Sequence, residues 1–432
     1  MRLTTRRAFQ FATAFSLTLS SVAIAAEPTA RRPLVAAADL DRSGLSEFWA
    51  ARLPFVGDEA IRAAYRVDDA VYVVSTRNRL FSIAAEFGLL RWGIDLTAAD
   101  FTVHPPSHVR TAAADGPAVV ATTSETFVID RFNGAVLTKF TPPFPVGSPA
   151  VAQGSAAFMG SIDRRFYAMH FDASNRGPAI KMWDVMAGGP VTAKPLLLGP
   201  ETLVFASHSG TVYACLATDK AFQWSYRTGD AVTADPAVDA TGVYVASNDR
   251  SLYKLSPRTG SVIWRVRFPR PLVEGPIALG NTVFQFCPGE GLAAIDADSG
   301  KDRWRNPAVE RFAARAGASD VLFTSGQRLL IVDSETGRER AGIPAAGAFD
   351  VITNTQDATV YLLGQPNQVM ALRLGDDLYL RRQQVMAARR ELNLDPLKRA
   401  PSEPPVDTAR RTDDTDPLAN DPLRSRRDVP PR

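Results

Sequence analysis

Thr259-Gly260-Ser261-Val262-Ile263-Trp264 and Ser299-Gly300-Lys301-Asp302-Arg303-Trp304 are two copies of one unit, a turn-forming dipeptide with an indole four residues past its glycine. Trp92, Trp183 and Trp224 keep similar company, with Gly88 ahead of Trp92. Asn133-Gly134 with Thr138 and Thr336-Gly337 with Ala341 keep the turn and lose the ring. These landmarks step along the chain at roughly 37 to 46 residues, so the chain is built of repeats.

Each period carries the same pattern ahead of its landmark. A proline, as at Pro149, Pro195, Pro236 and Pro276, leads into an apolar run such as Val243-Tyr244-Val245-Ala246-Ser247. A polar turn follows, then a second alternating run, Ser251-Leu252-Tyr253-Lys254-Leu255 in one copy and Thr211-Val212-Tyr213-Ala214-Cys215-Leu216 in another. β-branched and aromatic residues at period two, bounded by Gly, Asn, Asp and Pro, predict half-buried antiparallel strands. Four such strands per period make one blade, and the chain reads as all-β, an eight-bladed β-propeller over residues 45–374.

The eight inner strands are placed near residues 59, 103, 146, 190, 231, 271, 311 and 347. After Val369-Met370-Ala371-Leu372-Arg373 no turn and indole follow, so the last blade lacks its outer strand. Phe48-Trp49-Ala50-Ala51-Arg52-Leu53-Pro54 supplies a spare one, with Trp49 about one period before Trp92. An N-terminal strand that completes the C-terminal blade removes the last open edge and joins the two ends of the ring.

The flanks differ in composition. Arg2, Arg6 and Arg7, an apolar run from Phe11 to Ile24 and a small-residue site at Ala23-Ile24-Ala25 read as a signal peptide over 1–25, followed by a linker over 26–44. Thr5-Arg6-Arg7-Ala8-Phe9 resembles the twin-arginine signature, with Gln10 and Phe11 where Leu and Lys are usual, so both export routes stay open. Residues 375–395 have helical composition, and 396–432 are rich in Pro, Asp and Arg, which predicts a disordered tail. Lys and Arg number 49 against 46 Asp and Glu, a net charge of +3 that points to neither nucleic acid nor an acidic membrane surface. The reading is therefore an exported, periplasmic or cell-envelope protein with no stable membrane anchor, monomeric. Cys215 and Cys287 fall in blades about two apart, too far for a disulfide.

The turn and indole resemble the repeats named after pyrroloquinoline quinone enzymes, over residues 45–374 and best between Pro195 and Trp304. That resemblance implies that the tryptophans dock each blade onto its neighbour. Trp49, Trp92, Trp183, Trp224, Trp264 and Trp304, with Gly88, Gly134, Gly260, Gly300 and Gly337, are accordingly read as structural repeat residues.

Enzymes of this family hold the quinone and a calcium or lanthanide ion at the ring centre, commonly with a vicinal Cys-Cys pair. This chain has no adjacent cysteines. Asp163, Asn248-Asp249 and Glu290 lie in turns, where Asp and Asn bond local backbone, and no acidic cluster stands out as an oxygen-ligand set. His104 and His108 flank Pro105-Pro106-Ser107 at an inner strand and are the candidate metal pair, while His208 reads as an exposed turn residue and His170 carries no motif. No nucleophile elbow, phosphate loop or His-Glu-x-x-His occurs.

No catalytic, cofactor or metal residue is assigned. The expectation is a non-catalytic scaffold that binds a protein or peptide of the envelope, similar to the propeller subunit of the outer-membrane β-barrel assembly machinery but without its lipid-anchoring cysteine. The alternative is a quinoprotein dehydrogenase. Propellers bind through loops on the ring faces, and the candidates here are the insertion Phe171–Pro178 and Pro142-Pro143-Phe144-Pro145.

Overall fold

A computed structural model describes residues 33–111, 116–173 and 178–374. Its strands form eight four-stranded antiparallel sheets, each a simple meander of neighbours in sequence except the last. Blade 5 is typical, running from the inner strand Ala237–Val238 through Val243–Ser247 and Ser251–Leu255 to the outer strand Val262–Arg267. Inner strands touch between blades 2 and 3, 4 and 5, 5 and 6, and 7 and 8, and Ile61–Val67 of blade 1 touches Asp350–Ile352 of blade 8, so the sheets close into a ring.

Blade 8 takes its fourth strand from the other end of the domain. Leu45–Arg52 pairs antiparallel with Gln368–Leu374, in the register Leu45 with Leu374, Trp49 with Ala371 and Arg52 with Gln368. The closure expected from Trp49 is present. The part of the 26–44 linker that the structure describes carries a helix, Ala37–Ser43, stopped by Gly44 in the left-handed region at φ 71°. Leu34, Val35 and Leu40 are buried with it in the cluster between blades 7 and 8. Seven residues without a side-chain N-cap give little sequence signature of a helix. The signal peptide of 1–25, the helix of 375–395 and the tail of 396–432 lie outside the described residues.

The paired inner strands begin at Val151, Leu196, Ala237 and Ile277, just after the four prolines. Proline has no N–H to give a ladder, so it sits in the approach and pairing starts behind it. The middle strands differ from the half-buried expectation, since Val243–Ser247 and Ser251–Leu255 are buried throughout. Their alternation sorts side chains between two interiors. Val243 and Val245 enter the seam with blade 4, while Tyr244 and Ala246 enter the seam with blade 6. Both faces of a blade are covered, so a period of two survives with no polar face. Each seam is its own small core, and a fully buried Tyr244 or Phe284 contributes about 1.5–3 kcal/mol to one of them.

Candidate functional site

Every outer strand carries a β-bulge at one place. The register skips one residue beside Trp92, Trp183, Trp224, Trp264 and Trp304, beside Thr138 and Ala341, and beside Trp49 in the closing strand. The skipped residue lets the next side chain turn out of its own sheet. Each indole uses that turn to reach the following blade. Trp49 Nε1–H donates to Ala85 O at 2.8 Å, Trp92 to Arg131 O at 2.9 Å, Trp224 to Pro257 O at 2.9 Å, Trp264 to Ala297 O at 2.9 Å and Trp304 to Ser334 O at 3.1 Å.

Three residues beyond each of those carbonyls stands a glycine, with its Cα against the ring. A β-carbon on Gly88, Gly134, Gly260, Gly300 or Gly337 would lie 2.5–2.9 Å from the indole of the preceding blade, and all five have φ between 66° and 78°. The landmark glycine therefore serves the tryptophan before it in the chain, one blade back, and not the one four residues after it. That explains why Gly134 and Gly337 persist beside Thr138 and Ala341. Trp183 bonds Ala217 O at 3.1 Å, and the residue three beyond that carbonyl, Lys220, holds the same left-handed conformation at φ 60°.

Where the ring is lost, the next blade has also lost the turn. After Thr138, blade 3 carries the Phe171–Pro178 insertion, and Phe171 stacks on Phe140 with centroids 6.4 Å apart. After Ala341, the last two strands of blade 8, Gln368–Leu374 and Leu45–Arg52, come from opposite ends of the domain, so no short turn joins them, and Leu34 and Leu40 belong to the cluster on which Ala341 packs.

The two candidate loops separate. Phe144 is buried and lies flat on Tyr167 at 3.6 Å between centroids, and Pro145 O accepts from Ser161 Oγ at 2.7 Å. Pro142–Pro145 is thus a connection between blades 2 and 3 anchored by Phe144, with Pro143 and Pro145 exposed. The insertion starts with buried Phe171, and its tip, residues 174–177, lies outside the described residues.

The histidine pair does not assemble a metal site. His108 uses both ring nitrogens within the protein, Nε2 with Tyr72 OH at 2.8 Å and Nδ1 beside Asp68 Oδ2 at 2.8 Å and Arg131 Nη1 at 3.1 Å. The hydrogen bond from His108 holds the Asp68 carboxyl below the usual range. His104 is different. Its Nε2 is buried without a hydrogen-bond partner, and burial pushes its imidazole down to about 4. Among the described residues no three His, Cys, Asp or Glu side chains gather as a metal group. His208 is half-buried, with Nε2 on Thr192 Oγ1 at 2.8 Å, and so is not the exposed turn residue expected; the bond crosses from one blade's approach segment to the next turn. Asp163 and Asp249 accept from Tyr167 OH and Tyr253 OH, each at 2.5 Å.

His104 gives a pH prediction. Between its ordinary 6.5 and about 4 the unfolded chain binds a proton that the folded chain refuses, so stability falls as pH drops through that window. The loss approaches about 3 kcal/mol by pH 4. Urea unfolding of His104→Gln should show a shallower decline than wild type from pH 7 to 4.5, and parallel curves would remove His104 as the cause.

At the hub the inner strands present charge. Lys194 and Asp235 occupy one repeat position in adjacent blades, each directly before its proline, and Lys194 N–H donates to Asp235 Oδ1 at 2.7 Å. Arg311 reaches Glu274 at 2.7 Å and Asp350 at 3.6 Å. Solvent reaches Asp235 along the channel, yet lost hydration inside the ring still pushes its carboxyl up and the Lys194 ammonium down. The sequence reading passed over these residues, although the slot before Pro195 and Pro236 marks two of them. A calcium or lanthanide ion with a quinone needs several oxygen ligands converging on one point. Glu274 and Asp350 turn to Arg311, and Cys215 and Cys287 are free, buried thiols in blades 4 and 6, Cys215 pushed up to about 12 by burial. These residues do not fit that pair.

The rim is uneven. Large apolar side chains are exposed on the outer strands of four consecutive blades, Val136 on blade 2, Ile180, Met182 and Met186 on blade 3, Phe222 on blade 4, and Val262 and Ile263 on blade 5. Among the described residues the outer strands of blades 6, 7, 8 and 1 expose none. No helix of the described residues is long and apolar enough to cross a membrane.

A closed ring of eight blades, seamed by an indole of one blade on the turn of the next, is a β-propeller, and it is similar to propellers of the pyrroloquinoline-quinone-like repeat type. Residues 174–383 match the family described as outer membrane protein assembly factor BamB. Among solved structures, BamB from Moraxella catarrhalis superposes with a TM-score of 0.61 at 16% identity, covering 78% of this chain and 99% of that one. The computationally designed Ika8 protein gives 0.59 at 14% identity, with 75% and 98% covered. The C-terminal WD40 domain of Sif2 gives 0.58 at 11% identity, with 77% and 99% covered. At these identities the likeness is one of fold. No curated protein matches the sequence.

Proposed function

We propose that this protein is a non-catalytic scaffold of the cell envelope that holds a protein partner against the rim of blades 2–5. The observation that carries the reading is the run of exposed Val136, Ile180, Met182, Met186, Phe222, Val262 and Ile263 on consecutive outer strands, facing a half-ring that exposes no such side chains. Contiguous exposed apolar surface on a soluble frame marks interaction sites. Outer strands are also sheet edges, whose free backbone groups can pair with an extended segment.

Two further features support it. The basic and apolar N-terminus has the pattern of an export signal, and residues 174–383 match a family described as an outer membrane protein assembly factor. The rigid, closed ring suits a part whose surface does the work.

Site-specific photo-crosslinking in envelope extracts tests the reading. A crosslinker at Met182 or Phe222 should capture one discrete protein band, and a crosslinker at Arg338 on blade 7 should not. Equal capture from both sides, or none from either, rejects the rim as the docking face.

A further inference from the structure

The charges of the hub are unevenly distributed around it. Three cavities of about 570, 440 and 280 Å³ adjoin there, the first two sharing Asp235 and Arg311 and the last two sharing Lys194 and Arg66. Acid dominates one side, where Asp235, Glu274 and Glu310 surround Arg311. The other side is basic. Arg66, Arg110, Lys194 and His108 line the smallest cavity, with Asp68 as its one carboxylate, and that group is bound to His108.

The partners of these cations decide what the cavity can hold. Arg110 gives Nη1 to the carbonyl oxygens of Leu197 at 2.9 Å and Gly199 at 3.3 Å, which fixes the guanidinium without neutralising it. Arg66 is paired through Nη2 with Asp357 at 3.1 Å, and its Nε and Nη1 are buried out of reach of solvent, so it offers the cavity no open donor at those atoms. Lys194 has no ion pair or side-chain hydrogen bond among the described residues, and Asp235 engages its backbone N–H instead. Lys194 is partly buried, so its ammonium has lost some hydration without gaining a partner, and an oxyanion would supply both charge and acceptors. Burial pushes its ammonium pKa down, as expected for a cation without a close charge partner.

We propose that the Lys194 cavity at the hub binds a small oxyanion, the carboxylate or phosphate group of a soluble ligand, with Lys194 as its charge partner and the Arg110 guanidinium adding positive charge from the wall. Val67, Val151, Leu196 and Leu197 line the same cavity, so the group that carries the anion packs against aliphatic wall. The acidic side of the hub excludes a second anion and orients the first towards Lys194.

Titration calorimetry on the full chain with inorganic phosphate and, separately, citrate tests the proposal. At least one of them should bind saturably, and which one does so separates a phosphate ligand from a carboxylate ligand. Lys194→Met should weaken that binding by about tenfold or more, whereas Lys301→Met at an exposed turn should leave it unchanged. Asp235→Asn should strengthen it severalfold, because it removes the repelling charge and keeps an acceptor for the Lys194 N–H; a purely structural role for this pair does not give opposite signs. Circular dichroism checks each fold. If Lys194→Met does not fold, Lys194→Arg, which retains the charge, and Asp235→Asn still read the effect. Failure of both anions to saturate by about 10 mM, or equal binding by wild type and Lys194→Met, overturns the proposal.

Discussion

Gly337→Ala should destabilise the protein strongly in the presence of Trp304 and only weakly in its absence. The added β-carbon would sit 2.5 Å from the Trp304 ring at φ 68°. The left-handed backbone alone costs an L-residue roughly 1–2 kcal/mol, and forcing a methyl group into a filled site adds about 1–3 kcal/mol. Trp304→Ala by itself removes a side chain only 8% exposed and its bond to Ser334 O, at a cost of about 3–5 kcal/mol. In the double variant the methyl group has space, so only the backbone cost remains and the two effects fall short of additive by about 1–3 kcal/mol. Urea unfolding of the four proteins measures the coupling. Gly337 has Ala341 at its own indole position, so no tryptophan of the same repeat can account for it. Strict additivity would refute the cross-blade contact.

The second large effect concerns ring closure. Removing residues 1–52 takes away Leu45–Arg52, the Trp49 contact with Gly88, and the Leu34, Val35 and Leu40 side chains that fill the seam of blades 7 and 8. Gln368–Leu374 then becomes an open edge and blade 1 loses the indole that covers it. We expect the truncated chain to lose its cooperative thermal transition and to aggregate, since an open apolar edge pairs with other copies. A synthetic peptide spanning 33–54, added in trans, should restore the transition. A truncated protein that melts cooperatively at the wild-type temperature would show that the strand adds nothing to closure.

Much of the architecture was legible because a propeller repeats one short unit. Eight copies give eight chances to see a glycine, an indole and a strand pattern, and Trp49 could be placed in blade 8 because its spacing from Trp92 matched the period. The charged hub was not legible. Lys194, Asp235 and Glu274 carry no motif, and single charges before a strand look like ordinary solvated approach residues until a ring brings them together. Pro142–Pro145 was legible only in part, because a proline-rich connection reads as a loop and nothing local announces that Phe144 will lie on Tyr167.

Local chemistry determined what each blade is. Alternating β-branched residues make strands, proline delays pairing, and glycine supplies left-handed turns; all of these act within a few residues and are written in their order. Tertiary structure alone decided who meets whom. The glycine four residues before an indole proves to serve the indole of the blade before, and the bulge beside every outer landmark turns each ring out of its own sheet. Those contacts join residues some forty positions apart, and only the closed ring, which puts one blade's outer strand against the next blade's turn, brings them within reach.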